Sequence, residues 1–96
     1  MLEKEIEKRL VKGIKKLGGK AYKFVSPGNA GVPDRIVILP DKQPIFIELK
    51  AEKGKLTELQ KNQLKKLVDL GQRVEVLYGV DDVNWFLDLC EEMSKD

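Results

Sequence analysis

Ninety-six residues, 42% hydrophobic and 35% charged, describe one α/β-sized domain near the small end of what folds without staples. The chain has no histidine and one cysteine, which excludes histidine triads, histidine-liganded zinc and an internal disulfide. The net charge of +2 is uneven: residues 1–30 carry eight Lys/Arg against three Glu, and residues 81–96 one Lys against six acids.

Such a distribution lets the basic part meet a polyanion while the acidic tail faces away. The start, Met1-Leu2-Glu3-Lys4-Glu5, is charged from its third residue, so no secretory signal is expected. No apolar run is long enough to span a membrane, and a single Cys90 suits a reducing cytoplasm.

Taken in chain order, Ile6, Leu10, Ile14 and Leu17 recur at helical spacing, and Gly18-Gly19 ends that helix. Ala21–Val25 alternates as a strand, followed by a Gly/Pro/Asn-rich loop from Ser26 to Pro33. Arg35–Leu39 reads as an apolar strand, Pro40–Pro44 as a turn, and Ile45–Lys50 as a third strand. Thr57 and Gln60 form a capping box, after which Leu56, Leu59, Leu64, Leu67, Val68 and Leu70 define a helix ended by Gly71. Arg73–Tyr78 is the last strand, and a helix capped by Asp81 runs to about Met93. The order is α-β-β-β-α-β-α over one domain, residues 1–96. The helix between the third and fourth strands implies that those two run parallel.

The chemistry concentrates in Gly31-Val32-Pro33-Asp34-Arg35 and Glu48-Leu49-Lys50. Residues two apart in a strand share a face, so Glu48 and Lys50 project together while Leu49 enters the core. If the two strands pair antiparallel, Asp34 and Glu48 converge and can share a divalent cation beside an ammonium group. That arrangement suits metal-assisted phosphodiester hydrolysis. The competing reading is a turn residue at Asp34 and a solvated strand face at Glu48 and Lys50.

This order of elements, with an acid opening one strand and Glu-x-Lys ending the next, resembles the PD-(D/E)XK nuclease superfamily. More narrowly, Gly-Val-Pro-Asp-Arg, Glu-Leu-Lys and the trailing Thr57-Glu58-Leu59-Gln60 resemble the VRR-NUC family, whose small stand-alone members occur in bacteriophages. The resemblance spans roughly residues 3–80. It implies a restriction-endonuclease-like αβββαβ core with a mixed sheet and a C-terminal helix.

It also implies Mg²⁺ or Mn²⁺ held by Asp34, Glu48 and the Leu49 carbonyl, all hard oxygen ligands. Lys50 would then orient the attacking water and stabilise the phosphorane. The family's further acid comes from the first helix, where Glu3, Glu5 and Glu7 are available; Glu5 points away and Glu7 is preferred over Glu3, and the competing reading is that all three complement the helix dipole. Gln60 matches a glutamine that lines the active-site edge, and it is equally half of the capping box. Lys53, Gly54 and Lys55 could hold a DNA backbone, or simply be solvated. In the loop before Asp34, Ser26, Gly28, Asn29 and Gly31 permit close approach to a phosphate, or make turns.

Lys61, Lys65 and Lys66 read as a solubilising outer face. Tyr22, Phe24 and Tyr78 are expected in the core, which favours backbone or shape reading over recognition of bases. The last helix is apolar on more than one face (Val83, Trp85, Phe86, Leu87, Leu89, Cys90, Met93), which points to a homodimer. The function implied is a metal-dependent, structure-specific DNA endonuclease on branched DNA such as Holliday junctions, in the host cytoplasm if phage-encoded. The alternatives are a flap- or end-processing nuclease and a non-catalytic DNA-binding module of the same fold.

Overall fold

A computed structural model describes residues 3–95; Met1, Leu2 and Asp96, the ends of the expected 1–96 domain, lie outside the described residues. The elements are α1 (Glu3–Lys16), β1 (Lys20–Lys23), β2 (Arg35–Ile38), β3 (Ile45–Lys50), α2 (Glu58–Asp69), β4 (Arg73–Tyr78) and α3 (Gly79–Met93). They form one mixed sheet in the order β1-β2-β3-β4. The first three strands are antiparallel neighbours, and β4 pairs parallel with β3. The crossover through α2 requires that direction, as a hairpin would not.

One face of the sheet carries the main core. Ala21, Val37, Ile45, Ile47, Leu49 and Leu77 meet Ile6, Leu10 and Ile14 of α1 and Val83, Phe86 and Cys90 of α3. Ile6, Leu10 and Ile14 recur at four-residue intervals, so one stripe of α1 is buried and its lysines stay in water. The two helices approach closely at Gly13, where an added Cβ would fall 2.5 Å from Leu87 Cδ1. Arg9 hydrogen-bonds Asn84 across the same contact. Cys90 is buried there, and desolvation pushes its thiol up to about 11, leaving it protonated and inert.

The opposite face is only half covered. Helix α2 packs over β4 and buries Leu64, while Leu59, Val68 and Leu70 are exposed, contrary to a helix defined by all its leucines. Its sheet-facing row is instead Gln60, Gln63, Leu64 and Leu67, all buried or half-buried. Tyr22 is 50% exposed rather than in the core; Ala21 takes the inward position on that edge strand. Phe24 and Tyr78 are half-buried, and Phe24 lies against Phe46 with ring centroids 5.8 Å apart.

Strand β1 ends at Lys23, two residues short of the apolar run, although the Phe24 N–H still donates to the Asp34 carbonyl at 3.0 Å. Helix α3 begins at Gly79, and Asp81 does not cap it. The Asp82 carboxylate instead accepts from the Tyr78 N–H at 2.8 Å. Among the described residues no helix is long and apolar enough to cross a membrane.

Candidate active site

The hairpin of β2 and β3 pairs Arg35 with Ile47, which sets the preceding Asp34 opposite Glu48. Pro33 is buried and fixes the chain entering β2. The Asp34 carboxylate accepts from the Leu49 N–H at 2.8 Å, so it is tied to the strand that carries Glu48 and Lys50. Leu49 points its side chain into the core, and Glu48 and Lys50 share the opposite side of β3.

Glu48 is 2% exposed, the one buried charged residue among the described residues. Gln60 Nε2 donates to its Oε2 at 3.2 Å, while Oε1 is buried without a hydrogen-bond partner. Desolvation, and after it the adjacent Asp34 charge, push the Glu48 carboxyl up to about 8. Lys50 acts in the opposite direction, and Glu3 adds a smaller upward push. An unpartnered, buried carboxylate oxygen is expensive in an apolar interior, and its position beside a second carboxylate fits a hard cation.

Gln60 serves two structures at once. Its Oε1 accepts from the Thr57 N–H at 2.9 Å and its own N–H donates to Thr57 Oγ1 at 3.1 Å, closing the capping box. The remaining amide hydrogens reach Glu48, so the two readings of this residue are compatible. Gly31 decides where that helix sits. With φ of +89° and an added Cβ only 2.8 Å from Leu59 C and O, it lets the loop press directly on the first turn of α2. The loop glycine thus faces a helix.

Glu7 is not brought to this group. Arg35 Nε donates to Glu7 Oε2 at 2.8 Å, and Arg35 Nη1 donates to the Ala21 carbonyl at 3.1 Å. This half-buried pair fastens α1 to β2, an attachment that spans 28 positions and leaves no local signature. Of the two glutamates weighed, Glu3 is the one whose charge reaches Glu48. Among the described residues no three His, Cys, Asp or Glu side chains converge closely enough to hold a metal by themselves.

Lys53 and Lys55 are exposed around a turn closed by the Gly54 N–H on the Ala51 carbonyl at 2.8 Å. Lys61 and Lys65 pair with Glu58 and Asp69 on the outer surface of α2, as a solvated face would.

The sequence profile of the VRR-NUC domain matches residues 2–81. The chain is 51% identical over 79 residues to "Putative nuclease p44" of Acyrthosiphon pisum secondary endosymbiont phage 1, covering 82% of this chain and 85% of that protein. A solved VRR-NUC domain superposes with a TM-score of 0.83 at 28% identity, over 90% of this chain and 94% of the other. A second VRR-NUC domain protein gives 0.72 at 19% identity, over 92% and 86%. Hjc of Archaeoglobus fulgidus, a Holliday junction resolvase, shares the fold with a TM-score of 0.58 at 20% identity, over 79% and 67%.

Proposed function

The chain belongs to the VRR-NUC domain family, and from that footing we propose that it is a metal-dependent, structure-specific DNA endonuclease. The observation that carries the reading is the buried Glu48 set opposite Asp34, with Lys50 projecting from the same side of β3. We assign Asp34, Glu48 and the Leu49 carbonyl to a bound Mg²⁺ or Mn²⁺; such oxygen donors suit those ions. When bound, that ion would activate a water and offset charge on the phosphoryl oxygens.

The protein's own groups do the rest. Gln60 holds Glu48 in one orientation, and the Asp34 bond to the β3 backbone fixes its partner. Lys50 places an ammonium where charge grows on the phosphorane. Of the first helix's acids we assign Glu3, whose charge acts on Glu48, to this side, since Glu7 is committed to Arg35.

The substrate we propose is branched DNA such as a Holliday junction, supported by the fold shared with Hjc and by the phage relative. A homodimer working in the cytoplasm fits that substrate, because two-fold symmetry supplies two identical sites. Trp85, exposed on α3, is available for the contact.

The test is cleavage of an end-labelled four-way junction beside linear and flap controls, in Mg²⁺, Mn²⁺ or EDTA. Paired symmetric cuts are expected in either metal and none in EDTA. Lys50→Ala should slow them by roughly 100-fold or more. Binding without cutting in both metals would leave a DNA-binding module instead.

A further inference from the structure

The half of the sheet that α2 leaves open runs directly into the Asp34–Glu48 site. Phe24, Asp34 and Glu48 lie in one cross-strand row; Tyr22, Ile36 and Phe46 form the next; Lys20 and Ile38 begin the one beyond. With rows about 6.7 Å and strands about 4.8 Å apart, Tyr22 stands roughly 12 Å from Glu48.

This surface is both apolar and cationic. Tyr22 is 50% and Ile38 36% exposed. The Lys20 ammonium lies 4.7 Å from the centre of the Tyr22 ring. At the far end Lys20, Tyr22, Ile38 and Pro40 line a shallow cleft of about 360 Å³, with one acid, Asp41, at its rim.

An aromatic ring on an open sheet, flanked by lysine, is how proteins stack unpaired bases while neutralising the phosphates between them. We propose that this half-sheet is a platform for unpaired nucleotides next to the scissile phosphate. The inference rests on the nuclease reading and narrows its substrate to DNA with single-stranded character beside the cut. The span from Glu48 to Tyr22 equals roughly three to four stacked nucleotides at about 3.4 Å each. A second copy of the chain is the poorer occupant, because lysines at both ends of β1 blunt that edge against strand pairing. Lys20, on the same side of β1 as Tyr22, attracts a polyanion.

The test measures affinity by fluorescence anisotropy for a splayed junction and a blunt duplex of equal length. The proteins are Lys50→Ala, to prevent cutting, alone and combined with Tyr22→Ala or Tyr22→Phe. A 2-aminopurine placed one to four nucleotides from the cut position reports stacking directly. The expected result is a preference for unpaired over duplex DNA that falls roughly tenfold with Tyr22→Ala and survives Tyr22→Phe. The 2-aminopurine quench should disappear with it. An unchanged preference in Tyr22→Ala would overturn the platform while leaving duplex binding, and so the nuclease reading, intact. So would conversion of a dimer to a monomer by Tyr22→Ala in light scattering, which would give the face to a second copy. Failure of every protein to bind either DNA would bring down the nuclease reading, and this inference with it.

Discussion

At the residue scale the site turns on the protonation of Glu48. Its carboxyl titrates near 8 in the fold against an ordinary 4.5, because burial and Asp34 disfavour the charged form. The native state therefore holds this proton more tightly than the unfolded chain does. For metal-free protein, the resulting stability is fully present below about pH 4.5 and is lost as pH rises through about 8. Glu48→Gln keeps the shape and the Gln60 contact but removes the titration. Urea unfolding in EDTA should find this variant more stable than wild type at pH 9, by on the order of a few kcal/mol. At pH 4.5 the two should be nearly equal. Equal stability at both pH values would mean that Glu48 ionises freely in the fold.

Elements position that residue, and here the sequence and the structure agree unevenly. Strands β3 and β4 begin and end where their apolar runs do, and the Thr57–Gln60 box opens α2. These signals are local: a run of β-branched and aromatic residues, a hydroxyl three positions before an amide. The departures occur where coverage, rather than propensity, decides. Apolar positions in α2 and β1 do not say which side another element will cover, so Tyr22, expected in the core, and Leu70, one of the residues that define the helix, both lie outward. Asp81 fails as a cap because Gly79, at φ +77°, turns β4 straight into α3 two residues earlier.

The opposition of Asp34 and Glu48 was legible because register follows from a short hairpin. The Glu7–Arg35 tie was not, because it joins distant segments. In the sequence Gly31 reads as a turn residue or one that admits a phosphate, whereas it is the seat of α2. Gly31→Ala forces a left-handed φ on alanine and pushes a methyl group into the Leu59 carbonyl. The helix must retreat, and Gln60 with it. The expected loss is about 2 kcal/mol, seen as a fall of roughly 8–16 °C in melting temperature, with cleavage weakened further than stability. A variant that melts and cuts like wild type would show that the loop does not set the helix.

At the scale of the whole molecule, the two faces of one sheet have different work. Helices α1 and α3 close one face into the core that makes a 96-residue chain stable. Helix α2 covers only the β4 side of the other, far enough to bring Gln60 over Glu48 and no farther. The uncovered remainder leaves Asp34 half-buried at its border, while Glu48 stays buried.

Whether Asp34 and Glu48 together hold a divalent cation is decided by calorimetric titration with Mn²⁺ at pH 7. Run in two buffers of different ionisation enthalpy, the titration should give one ion per chain with release of close to one proton, because Glu48 must ionise to bind. Glu48→Gln and Asp34→Asn should each abolish the binding. Tight binding that persists unchanged in Glu48→Gln, without proton release in wild type, would show that Glu48 does not ligate the ion.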